Sequence, residues 1–283
     1  MKNGLLACGG AAVALLLAPY ASAQFGSEPS KLELIKLRDD MYVISNPFVP
    51  GLVTALITTE GVLLVDDKFE VDHDNIMKML RTVTNQPVKY VINTHYHGDH
   101  SGGNAKLQAL NALAVASEEA RARMVAVNQP GVPNIAVSDH ATIYIGGKTV
   151  EIHHVAPAHT SGDVVVLFPA QRVLASGDIF ANGEGTSAEL VDHAGGGSAK
   201  SWPKAVEGAL KLDFDTVVPG HGAVSTRADL QAYHERAERF SAVLTQMVKQ
   251  GKSRADIEAV VRTQYDWTDF HVQSLDGLIN EFR

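Results

Sequence analysis

The chain has 283 residues, 45% hydrophobic and 20% charged, which is ample for one sizeable core. Its formal net charge is −8 and no run of Lys and Arg occurs, which argues against a nucleic-acid surface, since phosphate binding relies on clustered cations. The single cysteine, Cys8, excludes a disulfide scaffold.

In chain order, Lys2 precedes an apolar stretch over residues 5–17, and Ala21-Ser22-Ala23 supplies a small-x-small cleavage pattern. Residues 1–23 therefore read as a secretory signal peptide, leaving residues 24–283 as one catalytic domain. The apolar stretch is too short for a comfortable membrane span, so no stable membrane insertion is expected after cleavage. The expected destination is the periplasm or the cell exterior. Cys8 would leave with the signal, and the mature chain would then carry no thiol.

Residues 34–45, 52–59 and 62–66 read as strands with short turns. Residues 71–84 carry Ile76, Met79, Leu80 and Val83 on one helical face. Residues 88–93 form a strand and 104–110 a helix, and Ser117 opens another helix with Glu118 and Glu119 in its first turn. Strands are expected at 141–145, 149–155 and 164–168, and helices at 200–212, 227–250 and 253–263. Strands in two batches, each followed by helices, predict an α/β fold with two sheets covered outside by helices.

Chemistry concentrates in His95-Tyr96-His97-Gly98-Asp99-His100, which packs three imidazoles and a carboxylate into six residues. His159, Asp178 and His221 each follow an apolar, strand-like run, and a strand that ends in a ligand delivers it to a sheet edge. Four such strands in one sheet would bring these groups to one rim. His95 and His97 need a turning loop to meet one ion, and Gly98 offers backbone freedom for it. Imidazole with a little carboxylate suits zinc first, with iron or manganese possible. Five histidines and two aspartates are too many for one tetrahedral ion and suit two neighbouring ions.

The H-x-H-x-D-H string followed by Ser101-Gly102-Gly103-Asn104 resembles the metallo-β-lactamase superfamily. Ala158-His159-Thr160-Ser161-Gly162-Asp163, Ser176-Gly177-Asp178 and Pro219-Gly220-His221-Gly222 agree in order, and residues 61–66 resemble its first motif. The likeness spans about residues 40–225 and implies a four-layer αβ/βα sandwich binding two Zn2+ per chain. It implies that His95, His97 and His159 hold one metal, and that Asp99, His100 and His221 hold the other. Asp178 would bridge the two, and Asp66 would orient a ligand from outside. Asp99 would also act in catalysis, orienting the nucleophile and accepting its proton.

The activity this resemblance implies is that of a dinuclear zinc-dependent hydrolase whose bridging hydroxide cleaves an ester, thioester, lactone or β-lactam in a small-molecule substrate. A dedicated class B β-lactamase is the alternative. The β-lactamase groups that use cysteine at the second metal do not match, because Asp178 stands where that ligand falls. The all-histidine group generally lacks the bridging aspartate. A glutathione-thioester hydrolase fits less well, since the region after His221 lacks that family's substrate-binding tail. A mononuclear iron oxygenase and a non-catalytic binding module are further alternatives. The sequence does not define the oligomeric state.

Outside these motifs, Phe48 could form a substrate lid, or pack inward. The Gly-rich segment 182–198, with Glu184, Glu189, Asp192 and His193, is expected to border the pocket, and His193 could touch substrate or be a solvated loop residue. Tyr96 and Asn104 could contact substrate, and Asp163 reads as a turn or ligand-supporting residue. His73, His140, His234 and His271 read as background without ligand-type neighbours. His153 and His154 are adjacent on a strand, so one points inward and one outward.

Overall fold

A computed structural model describes residues 27–47, 49–183 and 190–283. The signal segment 1–23 with Cys8, the loop residue Phe48, and Glu184 and Glu189 lie outside the described residues.

The first half of the chain contains β1 (Glu33–Arg38), β2 (Met41–Ser45), β3 (Val53–Ile57), β4 (Val62–Val65), α1 (His73–Leu80) and β5 (Val88–Ile92). It continues with α2 (Gly98–Ser101), α3 (Asn104–Ala109), β6 (Leu113–Ser117), α4 (Glu118–Ala126) and β7 (Ile135–Val137). The strands form one sheet in sequence order, antiparallel from β1 to β4 and parallel from β4 to β7. The second half contains β8 (His140–Ile145), β9 (Lys148–His154), β10 (Val164–Phe168), β11 (Val173–Gly177), α5 (Trp202–Leu210), β12 (Thr216–Pro219) and β13 (Ser225–Thr226). The helices α6 (Arg227–Lys249), α7 (Arg254–Gln264), α8 (Asp269–Val272) and α9 (Leu275–Phe282) complete it. Its sheet runs β13-β12-β11-β10-β9-β8, antiparallel except for the β11–β12 pair.

Strand periodicity shows how the layers stack. On β4, Leu63 and Val65 join a cluster with Val166, Phe168 and Val218 of the other sheet, while Val62 and Leu64 join Ile76, Leu80 and Leu107 of α1 and α3. On β10, Val164, Val166 and Phe168 face the first sheet, while Val165 and Leu167 pack with Trp202, Phe240 and Leu278 of the covering helices. A strand buried on both faces must be apolar throughout, which explains the unbroken Val-Leu-Leu-Val and Val-Val-Val-Leu-Phe runs. The result is the four-layer sandwich: helices, two mixed sheets face to face, and helices again.

Several boundaries differ from the sequence reading. The span 34–45 is two antiparallel strands, with Glu33 opposite Ser45 and the reversal at Asp39-Asp40. The helix expected over 71–84 is regular only to Leu80, where a series of turns carries the chain on through Thr84. The strands β6 and β7 and the closing helix α9 have no counterpart among the sequence expectations. The helix expected from Ser117 is present, and the Ser117 hydroxyl accepts the Ala120 amide at 3.1 Å as its cap. Among the described residues, no helix is long and apolar enough to cross a membrane.

Candidate metal centre

The seven predicted side chains converge, but not from one sheet. His95 follows β5 of the first sheet, and His97, Asp99 and His100 sit at or in α2, whereas His159, Asp178 and His221 follow β9, β11 and β12 of the second. Two facing sheets expose strand ends along a shared edge, so ligands can meet across the seam. Backbone bonds fix that seam: Val164 donates to the Thr94 carbonyl at 2.8 Å, and Leu52 to the Gly220 carbonyl at 2.8 Å.

The expected turn is also built differently. Bends over residues 94–96 bring His95 and His97 together, and Gly98 opens α2 without a positive φ or any crowding at its Cβ position. Close approach makes other glycines obligatory. A Cβ on Gly51 would lie 2.2 Å from the His100 ring, and one on Gly220 would lie 1.9 Å from Asp178 Oδ1.

Two ligand-like groups result. His97 Nδ1 lies 3.1 Å from His95 Nε2 and 2.9 Å from His159 Nε2. His100 Nε2 lies 3.2 Å from His221 Nε2, and Asp99 Oδ2 lies 3.5 and 3.4 Å from these two nitrogens. Asp178 stands between the groups. Its Oδ2 is 3.5 Å from His159 and 3.3 Å from His221, and its Oδ1 is 3.2 Å from His100.

Hydrogen bonds behind the rings choose which nitrogen faces inward. His100 Nδ1 donates to Asp66 Oδ2 at 2.8 Å, and Asp66 also accepts from the Thr94 amide and hydroxyl at 2.7 and 2.8 Å. His159 Nδ1 donates to the Leu190 carbonyl at 2.6 Å. His97 Nε2 donates to Asp192 Oδ2 at 3.1 Å, and the same carboxylate accepts the Tyr96 hydroxyl and the Gly195 amide. Sequence reasoning places Asp192 only within a pocket-bordering loop. No local signal links it to His97.

Charge divides the groups. Burial pulls the His95 imidazole well below its usual range, and pulls His159 down to about 4 despite Asp178. Burial acts on His100 too, but the carboxylates of Asp178, Asp99 and Asp66 outweigh it and hold that ring up at about 10. Burial would raise the Asp178 carboxyl, yet His221 and His100 overcome it and hold it well below the usual carboxylate range.

The family model described as the metallo-beta-lactamase superfamily matches residues 47–221, which contain every one of these side chains. The chain belongs to the metallo-β-lactamase superfamily. It is an enzyme of that superfamily's metal-dependent hydrolases. A metallo-beta-lactamase of Chryseobacterium indologenes is 27% identical over 224 residues, covering 74% of this chain and 88% of that one. A hydroxyacylglutathione hydrolase of Methylococcus capsulatus is 30% identical over 164 residues, covering 54% of this chain and 59% of its relative. The solved structure of a metallo-beta-lactamase from Pontibacter korlensis superposes with a TM-score of 0.66 at 24% identity, covering 74% of this chain and 99% of the other.

Members of this superfamily bind metals, typically zinc, and the donor set here fits such ions. His95, His97 and His159 offer ligand atoms within 4.8 Å of one another, as do Asp99, His100 and His221, and as do His95, His100 and Asp178. With their N–H groups spent behind the rings on Asp192 and the Leu190 carbonyl, His97 Nδ1 and His159 Nε2 turn lone pairs toward each other at 2.9 Å, and the buried Asp178 Oδ1 has no hydrogen-bond partner. A cation between them removes both costs.

Other expected residues have different roles. His193 turns from the centre to Glu281 of α9, with Nε2 3.1 Å from Oε2. Tyr96 bonds Asp192, and buried Asn104 donates to Asn93 Oδ1 and the Gly131 carbonyl, so both brace the site's walls. Asp163 accepts the Thr160 amide and hydroxyl, closing the turn around His159. His271 caps α8. His140 does have ligand-type neighbours: it begins β8 with Glu151 and His153 beside it.

Proposed function

We propose that this protein is a dinuclear zinc hydrolase acting on an ester, thioester, lactone or β-lactam in a small molecule. One zinc would be held by His95, His97 and His159, the other by Asp99, His100 and His221, with Asp178 shared. The observation that carries this reading is the position of Asp178, within 3.5 Å of imidazoles from both groups. Zinc bound there would supply Lewis acidity and lower the pKa of water at neutral pH. The chain's own residues do the rest. Asp66, Asp192 and the Leu190 carbonyl orient the imidazoles, and Asp99, whose side chain is 19% exposed, faces the opening where it can hold a proton from the nucleophile. A groove of about 390 Å³, lined by Ile35, Leu52, Asn182, Ala223 and Val224 and reached by Gly222, which follows His221 in the chain, is the wall we assign to a substrate of modest size.

A dedicated β-lactamase is a second reading, favoured by the relative from Chryseobacterium indologenes, of which this chain covers 88%. Elemental analysis of purified protein, with a panel of nitrocefin, an aryl ester, a thioester and a lactone, tests both. Two zincs per chain with preferential nitrocefin turnover favours the β-lactamase. Two zincs with preference for another acyl substrate favours the broader hydrolase, and a single iron with no turnover sinks both. We also infer export through cleavage after Ala23, supported by the apolar stretch and the Ala-Ser-Ala site. Intact-mass measurement of the secreted protein checks it, because retention of residues 1–23 contradicts cleavage.

A further inference from the structure

A second histidine cluster lies outside the centre, on the outer face of the second sheet. His140 on β8 pairs directly with His153 on β9. The next pair along is hydrogen-bonded, with the His154 amide donating to the Asp139 carbonyl at 2.7 Å. In an antiparallel ladder bonded pairs alternate with closer, non-bonded ones, so His140 and His153 form the kind whose side chains approach most closely. Their rings are 4.7 Å apart between centroids. Glu151 lies two residues before His153 and so points to the same face, with Oε2 3.1 Å from His153 Nε2.

The inward side of this hairpin is accounted for by Val150 and Ile152, which pack between the sheets. The outward side is open: His140 is exposed, Glu151 and His153 are half-buried, and Tyr144 on the same strand face is 77% exposed. One ligand atom from each of His140, Glu151 and His153 lies within 4.8 Å of the other two.

We propose that His140, Glu151 and His153 form a divalent transition-metal site of the zinc class, separate from the hydrolytic centre. Two imidazoles and one carboxylate match the donors zinc takes, while calcium and magnesium take oxygen ligands and would leave both imidazoles without a role. Since β8 is the terminal strand of its sheet, an ion here ties the exposed edge to its neighbour and stabilises the hairpin by linkage. The alternative is a ring pair and ion pair that glue two strands without metal.

Zinc per chain, measured after equilibrium dialysis of the full chain against micromolar free Zn2+, distinguishes these. The unsubstituted chain is expected to carry one equivalent more than H140A or H153A, with hydrolysis of a test ester unchanged. Melting in Zn2+ against EDTA should give a larger upward shift for the unsubstituted chain than for H153A. Equal zinc content in all three overturns the proposal, as does a variant that loses zinc and hydrolysis together. If H153A does not fold, E151Q decides the matter: it preserves the side chain's shape, and unchanged zinc content in it overturns the site.

Discussion

The two halves of the molecule contribute to the same centre in opposite styles. The first sheet supplies His95, His97, Asp99 and His100 from one short loop and helix, braced from below by Asp66 at the end of β4. The second sheet supplies His159, Asp178 and His221 one per strand end, and the irregular segment between β11 and α5 carries Asp192, which reaches across to brace His97 of the first half. One half is a compact cassette anchored in a sheet, and the other is an assembly that exists only once β9, β11 and β12 are in register. A local motif can therefore be complete in sequence and still depend on distant strands for its geometry.

Breaking the seam itself has the largest expected effect. Asp178→Ala removes the one carboxylate shared by both groups, so hydrolysis should fall to background and zinc content should drop, measured by steady-state turnover and elemental analysis. Retention of two zincs with near-normal turnover would falsify the bridging role. Next is Asp66→Asn. Asp66 adopts a φ of 61°, a left-handed conformation that asparagine also tolerates, so the backbone should survive while the charge behind His100 is lost. An expected loss of about 100-fold in turnover or zinc affinity, the upper end for a group supporting a ligand, tests whether the cassette depends on its sheet anchor.

The uneven legibility of the sequence has its origin in the same contrast. The histidine string, Asp178 and the strand-ending ligands are readable because residue type and spacing carry their chemistry locally. The assignment of strands to sheets is not, because β4 and β10 are apolar on both faces and a continuous apolar run does not say which neighbour it pairs with. The short strands β6 and β7, built largely of Ala and Val, lack the alternation that marks a half-buried strand. Asp192 is invisible as a partner because 95 residues separate it from His97. The ligand-type neighbours of His140 go unread for a similar reason, since they arrive across a hairpin and not along the chain.

Asp192→Asn tests the support that the second half lends to His97. The amide oxygen can still accept from His97 and Tyr96 but no longer stabilises charge on the ring, and the Gly195 amide loses its acceptor. The expected loss is about 10-fold in turnover, the lower end for such a group, and smaller than for Asp66→Asn. A loss equal to or larger than that of Asp66→Asn would show that the loop, and not the sheet, is the more important brace.

The last expected effect is on stability and not on activity, in the helical layer of the second half. Burial and the nearby Arg236 guanidinium pull His271 from 6.5 down to about 4, and its Nδ1 accepts the Thr268 amide at 3.2 Å. A histidine whose pKa is depressed by folding favours the native state fully above pH 6.5, and that contribution is lost as pH falls through 4, because the unfolded chain takes up the proton first. The shift corresponds to about 2 kcal/mol after allowance for partial solvent screening. His271→Asn keeps an acceptor for Thr268 without a titrating ring. Denaturant unfolding of metal-free protein should therefore show the unsubstituted chain losing about 2 kcal/mol more than H271N between pH 6.5 and pH 4. Equal losses would place the acid-sensitive step outside His271.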